Sequence, residues 1–515
     1  MVNKKGKVRE TSSELPVIVI GAGLGGLGAA CQLILSGEKV LLLEKHNVPG
    51  GFATSFIRGR FEFEGALHVL AEVGTQEEPL SLYDFFKDLG IFNKIEFKKP
   101  KDLYRCIYYD GFDETFPNDR DEYFNKLIEL FPHEKKGIKK FKKIAFKIRA
   151  GFQYVAEKEG KASPMGILLK HPYLARSGGL TLKDVFDRCF KDRRLRSVIS
   201  QIWGYDGLPP SRVNAMYYIL TLVALLDDAV FPVGRSHALT SALVESFEKI
   251  GGKIRYNALV NRILAENGRV SGIELLNGER IQCKAIISNV NPICTTMKML
   301  PQQLVPNDYK KRIYAPDIGT SVFTVYLGLN ASPKDLGITH FEMFLNTTDD
   351  MEAQYQSSLK LERPKYLLAS CYNIMYENIS PPGTSEVVLT ILQDGKAWHT
   401  VPPDQYHYKK DEMANNMINI VEETLFPNIR NYIETAEAAT PLTYYRYSKS
   451  MNGAIYGYKQ DVLDSPMLRL NSKGAIPGLY LAGAWVNLGG GYSTSLTSGR
   501  MAAAMYLEEK EKGRL

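Results

Sequence analysis

Two short apolar runs near the start of the chain enclose a segment with helical spacing. Residues 16–20 read PVIVI and residues 40–43 read VLLL, and such runs are typical of strands buried on both faces of a parallel sheet. Between them, from Leu27 to Ile34, apolar residues recur at i, i+3, i+4 and i+7, which predicts a helix with one apolar face. Gly37 follows where that helix would end. The pattern predicts a β–α–β unit.

Two later stretches also have a clear pattern. Residues 258–287 alternate short apolar runs with turns at Asn267 and Asn277, each followed by glycine, which predicts two hairpins of a small sheet. Residues 216–226 are apolar nearly all round, which predicts a buried helix. Such a helix either belongs to the core or lines a tunnel for an apolar ligand.

A third stretch, residues 135–149, is rich in lysine. Apolar residues recur within it at helical spacing, from Ile138 to Phe152. This pattern predicts an amphipathic helix whose apolar face lies in the core and whose lysines face solvent. A basic helix lying on an anionic membrane is the alternative.

The segment between the first strand and the helix, residues 21–26, reads GAGLGG. Gly21 allows a tight turn, Gly23 leaves room for a pyrophosphate, and Gly26 lets the helix approach the strand. The helix N-terminus presents free N–H groups and the positive end of its dipole to the phosphates. Glu44 closes the second strand, where a carboxylate accepts hydrogen bonds from a ribose diol and disfavours a 2′-phosphate. These features predict a dinucleotide site.

The chain after Glu44 favours FAD over NAD. Gly50 and Gly51 form a glycine pair just beyond the second strand, and residues 61–68, FEFEGALH, continue as an extended segment. A dehydrogenase that binds NAD would usually enter another helix here. An extended segment instead fits the flavin half of a longer cofactor.

Composition excludes several classes of protein. The chain has 515 residues, of which 44% are hydrophobic and 23% charged, so we expect a globular protein with two or three lobes. The net charge of +7 is mild and permits attraction to anionic lipids or phosphates. No basic stripe interleaved with aromatic residues occurs, so no nucleic-acid partner is expected.

Cysteine usage and apolar runs indicate the compartment. The six cysteines show no C-x-x-C spacing, which predicts reduced, mostly buried thiols and no metal site. Residues 1–14 are polar, so no signal peptide is expected. The longest apolar run, near residues 215–226, ends at Asp227 and is too short to span a bilayer. The prediction is a cytoplasmic protein, with peripheral contact to a membrane left open.

Further motifs lie in order along the chain and together resemble one family. GAGLGGL, LLLEK, PGG and FEFEG are similar to motifs of the phytoene desaturase, carotenoid isomerase and retinol saturase group of FAD-dependent oxidoreductases. The chain departs from that pattern at Glu64, where the group often has Asp, and at Arg235, where a second Gly is usual and a bulky cation would lie next to the expected pocket. The other matching segments are residues 231–236, 285–291, 441–447, 453–457, 477–483, 489–491 and 498–500.

The resemblance implies an α/β fold, with a Rossmann-type FAD-binding domain of the amine-oxidase-like and GDI-like two-domain architecture. It also implies a discontinuous α+β substrate domain. The FAD-binding domain is expected over residues 14–75, 230–300 and 440–515, and the substrate domain over residues 76–229 and 301–439.

The expected site residues fall into two groups. His68 follows the flavin-side segment, where it could give or take a proton, although a structural hydrogen bond is the alternative. Glu64 would position the loop or contact the cofactor, and Tyr456 would donate to flavin or substrate. The residues expected to bind FAD are Gly21, Gly23, Leu24, Gly25, Gly26, Glu44, Lys45, Gly50, Gly51, Phe52, Gly483, Ala484, Gly490, Gly491 and, by resemblance only, Val260.

The resemblance implies an enzyme that desaturates, saturates or isomerises C–C double bonds of a long apolar polyene or unsaturated lipid, carotenoid-like or retinoid-like. The electron partner stays open between NAD(P)H, a quinone and oxygen. Two alternatives share the fold. One is an amine-oxidase-type flavoenzyme, which needs an aromatic cage around the flavin. The other is a non-enzymatic GDI-like lipid escort, against which the intact glycine loop argues.

Overall fold

The computed structural model describes residues 15–157, 163–466 and 468–514. Residues 1–14, for which no signal peptide is predicted, lie outside the described residues. The strands are β1 Val17–Ile20, β2 Val40–Leu43, β3 Ser55–Arg58, β4 Phe61–Glu64, β5 Phe97–Lys98, β6 Asp102–Tyr108, β7 Asp113–Pro117, β8 Phe231–Pro232, β9 Lys253–Arg255, β10 Val260–Glu266, β11 Arg269–Leu275, β12 Arg280–Gln282, β13 Ala285–Ser288, β14 Ser321–Leu329, β15 Glu342–Asn346, β16 Tyr366–Cys371, β17 Ser385–Gln393, β18 Ile433–Ala439 and β19 Leu479–Leu481.

The helices are α1 Leu24–Leu35, α2 Tyr83–Asp88, α3 Arg120–Leu130, α4 Lys135–Glu157, α5 Pro164–Lys170, α6 Pro172–Ser177, α7 Leu182–Asp187, α8 Arg193–Ile199, α9 Ala215–Asp228, α10 Arg235–Lys249, α11 Pro292–Cys294, α12 Asn307–Tyr314, α13 Met351–Ser358, α14 Gly395–His399, α15 Tyr406–Thr424, α16 Pro441–Ser448 and α17 Tyr492–Glu511.

A parallel sheet forms around β1. In the described part of the chain it has five strands in the order β19-β13-β1-β2-β9, so β1 lies between β13 and β2. All four residues of β1 are buried, as expected for a strand covered on both faces. Gly37, with φ +79°, follows the end of α1 and lets the chain turn into β2. The predicted β–α–β unit is confirmed.

Helices α1 and α17 cover one face of this sheet and cross at glycines. A Cβ on Gly28 would lie 2.3 Å from the Leu496 carbonyl oxygen, and a Cβ on Gly499 would lie 2.0 Å from the Gly25 carbonyl oxygen. Only glycine permits this separation, so the last helix of the chain is held against the first. The C-terminal segment is thereby brought beside the glycine-rich loop.

The opposite face of the parallel sheet packs against a small antiparallel sheet of β10, β11 and β12. Its hairpins turn at Asn267 and at residues 276–279, as predicted from the Asn-Gly pairs. Ile263 and Ile273 from this sheet share a buried cluster with Ile18 of β1.

The second lobe is built on a mixed sheet that, counting only strands in the described ranges, has the order β18-β14-β17-β16-β15-β6-β7. One face packs against α3, α4 and α9 in a core that contains Phe141 and Leu222. The other face packs against α14 and α15 around Trp398 and Met417. The two lobes fit the predicted two-domain fold.

The domain boundaries proposed from the sequence stay a prediction. The strands of the parallel sheet lie within residues 14–75, 230–300 and 440–515, whereas the mixed sheet draws its strands from residues 76–229 and 301–439. Phe85 and Phe86 of α2, however, pack in the core beside the parallel sheet. The first boundary is therefore open to a shift past residue 75.

Both predicted helices of the second lobe form. In α4, Ile138, Phe141 and Ile148 are buried, so its apolar face lies in the core, as the first of the two interpretations held. Helix α9 is buried along most of its length, and its Leu220 and Leu225 also line a large cavity. Helix α9 thus contributes both to the core and to the wall of the cavity.

Arg235 does not lie where the sequence placed it. Its backbone is left-handed, with φ +74°, which is the geometry that glycine prefers. The side chain is buried and does not line the cavity. It donates to Glu386 Oε1 at 2.8 Å and to the Ile379 carbonyl. The expectation of a cation next to the pocket is therefore wrong, because the buried Glu386 carboxyl draws the guanidinium into the second lobe.

The Arg235→Gly variant is expected to be less stable than wild type. Glycine relieves about 1 kcal/mol of left-handed strain, but Glu386 is left in the core without its partner, which costs about 3 kcal/mol. Adding Glu386→Gln removes the stranded carboxyl and should recover most of the loss. Urea unfolding of the single and double variants measures this, and an Arg235→Gly protein as stable as wild type would contradict it.

Candidate active site

One cavity of about 2340 Å³ joins the two lobes. It begins at the carboxyl edge of the parallel sheet, where Gly21, Gly23 and Glu44 line it, and reaches Leu220 of α9 and Leu368 of the mixed sheet. Pockets for a single small ligand measure about 300–1,000 Å³. The volume here is large enough for a long cofactor and a second ligand, and its position outside the carboxyl ends of parallel strands is where such folds bind nucleotides.

The carboxylate of Glu44 braces the glycine-rich loop. Its Oε2 accepts from the Ala22 N–H at 2.7 Å, and its Oε1 accepts from the His46 N–H at 2.9 Å. Each oxygen keeps a second lone pair, which is compatible with the predicted contact to a ribose diol. The bracing role was not anticipated from the sequence.

Gly23, Gly25 and Gly26 of the loop leave no room for side chains. A Cβ on Gly26 would lie 1.8 Å from the Gly21 carbonyl oxygen, and one on Gly25 would lie 2.6 Å from Gly483 Cα. A Cβ on Gly23 would lie 2.7 Å from Nδ2 of Asn289. This cradle, at an N-terminus of α1 with no side-chain cap, fits the pyrophosphate of a dinucleotide.

Asn289 is a residue that the sequence reasoning did not single out. It follows β13 directly, and its side chain reaches the positions of Gly23, Gly25 and Gly483. Its location at the carboxyl end of a strand next to β1 was the available signal, because side chains at that edge face the nucleotide crevice.

The remaining residues expected at the nucleotide end also line the cavity. Lys45 Nζ donates to the Tyr447 carbonyl, and His46 Nε2 lies 2.9 Å from the same oxygen. Burial lowers the pKa of the Lys45 ammonium, and Lys449 adds to this effect. The other lining residues of this group are Leu24, Gly50, Gly51, Phe52 and Val260.

The segment after β19 is held in place by a buried arginine. Arg469 donates to the Ala484 carbonyl at 2.9 Å and to the Tyr456 carbonyl at 3.3 Å, and pairs with Asp464 at 2.6 Å. Burial raises the pKa of Asp464 to about 6, and Arg469 opposes the rise. Because Arg469 orders two predicted site segments at once, it is a positioning residue. Its sequence surroundings carry no motif that reveals it.

Gly483 and Gly490 show why this segment is glycine-rich. Gly483 has φ +94°, and its N–H donates to Ser498 Oγ at 3.1 Å. A Cβ on Gly490 would lie 2.6 Å from Tyr456 Cα, and Gly491, with φ +128°, precedes α17. Ala484, Gly490 and Gly491 line the cavity, as expected of residues that would contact a flavin.

His68 lies in the cavity wall with a buried carboxylate behind it. Its Nδ1 is 3.1 Å from Glu342 Oε1 and 3.2 Å from Ser370 Oγ. Glu342 and Ser370 are directly opposed on β15 and β16. Its ring stacks on Tyr205, with centroids 5.7 Å apart. These contacts fix the ring, and Nε2 has no hydrogen-bond partner among the described residues.

Tyr205 completes this cluster. Its hydroxyl donates to Glu342 Oε2 at 2.6 Å. Burial raises the pKa of Tyr205 well above its ordinary value, and the nearby Glu342 charge adds to the shift, so the hydroxyl remains a donor at neutral pH. The sequence did not reveal Glu342 or Tyr205, because each is far from His68 along the chain.

Glu64 is fully buried and has its hydrogen bonds satisfied. Its carboxylate accepts from the Ala66 and Leu67 N–H groups, and from the N–H and hydroxyl of Ser236 at 2.8 Å and 2.7 Å. It therefore ties the turn after β4 to the start of α10. This arrangement supports the loop-positioning role over a direct part in catalysis.

Tyr456 lines the cavity near a buried acid, Asp206. Burial raises the pKa of Tyr456, and the Asp206 charge adds to it. Asp206 Oδ1 accepts from Thr221 at 3.2 Å, whereas Oδ2 is buried without a partner in the described part of the chain. Burial raises the pKa of Asp206 to about 7. No sequence motif reveals this acid, which directly follows the short 3₁₀ turn Gln201–Tyr205 between α8 and α9.

We expect Asp206 to make the protein less stable as the pH rises. Its pKa is about 7 in the fold and 3.8 ordinarily, so its stabilising contribution is complete below about pH 4 and is lost as the pH approaches 7. The Asp206→Asn variant does not titrate, so the stability difference between wild type and variant should change by about 4 kcal/mol across this window. Urea unfolding at a series of pH values tests this, and parallel stability curves would contradict it.

Within residues 15–157, 163–466 and 468–514, no group of three or more His, Cys, Asp or Glu side chains is arranged to hold a metal ion. Over the same ranges, every helix is too short or too polar to cross a bilayer.

Three known proteins are similar in sequence to most of this chain. The chain is 27% identical to a chloroplastic prolycopene isomerase of Daucus carota, covering 97% of this chain and 82% of the relative. It is 25% identical to an all-trans-retinol 13,14-reductase of Danio rerio, covering 86% and 77%. It is 24% identical to a lycopene-forming phytoene desaturase of Pseudescherichia vulneris, covering 96% and 99%.

Among solved structures, a putrescine oxidase variant superimposes with a TM-score of 0.64 at 13% identity, covering 96% of this chain and 99% of that one, which shows the shared fold. The model of the family described as flavin-containing amine oxidoreductase matches residues 24–505. FAD is the cofactor that this family and the cradle of glycines support. The chain belongs to the flavin-containing amine oxidoreductase family.

Proposed function

We propose that this FAD-dependent oxidoreductase acts on the C–C double bonds of a long apolar polyene or unsaturated lipid, carotenoid-like or retinoid-like. The observation that carries the proposal is the large cavity, which runs from the glycine cradle into a part walled by Leu220, Ala224 and Leu225 of α9 and by Val322 and Leu368 of the mixed sheet. An extended, mostly apolar ligand space fits a long apolar substrate.

The glycine loop, Glu44 and the Gly490–Gly491 turn would hold FAD across the first lobe. Bound FAD supplies hydride transfer to or from carbon, and the protein supplies position and electrostatics. Arg469 keeps the flavin-side segment in place through the Ala484 carbonyl. Asn289 supports the cradle from the β13 side.

His68 is the residue we propose for proton transfer. Glu342 and Ser370 hold its Nδ1, so that Nε2 is the nitrogen left to meet a substrate carbon. Tyr205 keeps Glu342 in place through its hydroxyl. An imidazole nitrogen can either donate or accept a proton, so Nε2 is suited to give a proton in saturation and to take one in desaturation.

The proposal includes alternative directions of the reaction and alternative electron partners. The relatives are named as an isomerase, a reductase and a desaturase, at 24–27% identity. NAD(P)H, a quinone and oxygen are the candidate partners. An apolar substrate is common to all three reactions.

An amine-oxidase-type activity is the second candidate. Several tyrosines line the cavity, among them the buried Tyr444 and the half-buried Tyr456 and Tyr492, and could supply the aromatic cage that this chemistry needs. Release of peroxide on adding amines to the FAD-loaded protein would support it.

The test uses the FAD-loaded protein under anaerobic conditions. We expect a visible flavin spectrum, bleaching by NADH, NADPH or a reduced quinone, and a change in the number or geometry of double bonds in added polyenes, followed by mass spectrometry and chromatography. Mass spectrometry of lipid extracted from the purified protein would narrow the substrate class. A protein that stays colourless after FAD is added, or that leaves every polyene unchanged, would overturn the proposal.

A further inference from the structure

The short helix α5 carries an apolar face that is exposed in the described part of the chain. Met165, Leu168 and Leu169 are 64%, 50% and 73% exposed and lie at i, i+3 and i+4, so they project from one side of the helix. Ile167 on the other side packs against the core of the second lobe. No other helix in the described ranges exposes three large apolar side chains.

The lysine-bearing face of α4 continues directly to α5. Lys136, Lys143 and Lys147 are exposed and recur with Tyr154 at helical spacing, so the four residues lie on one face. Helix α5 packs at the Tyr154 end of that face, where Lys170 Nζ lies 5.5 Å from the Tyr154 ring centroid. A row of positive charge therefore leads to the exposed apolar side chains.

The same end of α4 borders the large cavity. Phe152, Val155 and Ala156 line it together with Pro79 and Leu80. Ala156 is exposed, so among the described residues the cavity reaches the surface at the end of α4, beside α5. The apolar patch, the lysines and this opening lie on neighbouring faces of one pair of helices.

We propose that α5 and the lysine face of α4 dock on an anionic lipid bilayer and hold this opening against the membrane. Apolar side chains gain from entering the acyl boundary, and lysines gain from anionic headgroups, so a patch of both kinds fits a bilayer better than a neutral protein surface. Entry of a lipid substrate through the opening rests on the proposed function, whereas the docking does not.

Vesicle flotation of the FAD-loaded protein tests the docking. With vesicles of phosphatidylcholine and phosphatidylglycerol, Leu169→Glu is expected to need at least about tenfold more lipid than wild type for half binding. Leu276→Glu is the matched control, because Leu276 is 67% exposed on the small sheet, away from α5. Lys143→Gln with Lys147→Gln should weaken binding about fivefold per lysine and only when phosphatidylglycerol is present.

A second measurement locates the insertion directly. The native Trp203, Trp398 and Trp485 are buried, so a Met165→Trp variant reports its own surroundings. Its added fluorescence should be quenched by brominated acyl chains, and that of Leu276→Trp should not. Wild-type protein that does not float, equal flotation of the two glutamate variants, or a change in oligomeric mass in Leu169→Glu without a change in flotation would each overturn the proposal.

A failure of the docking can be distinguished from a failure of the proposed function. Leu169→Glu should keep wild-type flavin content and wild-type turnover of a detergent-dispersed polyene, since Leu169 does not line the cavity. If Leu169→Glu no longer docks but keeps its turnover, the proposed activity is supported independently of docking. If the protein docks but turns over no polyene, the membrane surface is supported and the proposed activity is refuted.

Discussion

Replacing Gly26 with alanine is expected to abolish retention of FAD. The added Cβ would lie 1.8 Å from the Gly21 carbonyl oxygen. The backbone at Gly21 and at Gly26 cannot move apart without opening the turn between β1 and α1. Overpacking against a movable side chain costs about 1–3 kcal/mol, and we expect at least about 3 kcal/mol here because no side chain can yield. The displaced α1 N-terminus would lower FAD affinity by about 100-fold or more.

The flavin spectrum of the purified variant and FAD titration of its apoprotein measure this effect. Gly179→Ala is the matched control, since a Cβ there meets nothing within 4 Å. It should retain wild-type flavin content and stability within about 0.5 kcal/mol. A Gly26→Ala protein that binds FAD with wild-type affinity would refute the packing described for α1.

Replacing His68 with glutamine is expected to lower kcat by about 100-fold to 10,000-fold, the usual contribution of a positioned acid or base. Glutamine keeps a polar side chain of similar reach but cannot transfer a proton as an imidazole nitrogen can. The flavin content should stay at the wild-type level, because His68 lies outside the glycine cradle. Steady-state turnover of the polyene identified for the wild type measures the effect.

Glu342→Gln separates a positioning role from a merely structural one. The amide keeps the size of the side chain but removes the charge behind His68 Nδ1, so kcat should fall by about tenfold or more while KM changes little. His133→Gln is the control, because His133 pairs with Asp192 at the surface. Equal turnover of His68→Gln and His133→Gln would show that His68 takes no part in the chemistry and serves only a structural role through its hydrogen bonds.

Much of the first lobe was predictable from local sequence. The apolar run of β1, the glycines of the loop and the Asn-Gly turns each act on neighbouring residues, so the β–α–β unit and the hairpins followed from spacing alone. The prediction for Arg235 failed for the opposite reason. Its partner, Glu386, lies in the other lobe and is distant in sequence.

The sequence by itself determined the nucleotide end of the site, because the turn at Gly21 and the acid at Glu44 come from one continuous segment. The tertiary structure alone decided what surrounds His68. Glu342, Ser370 and Tyr205 reach it from other strands and turns, and only packing of the mixed sheet brings them together. The glycine-rich cradle is a local property of the backbone, whereas the proton-transfer cluster depends on contacts between segments far apart in the chain.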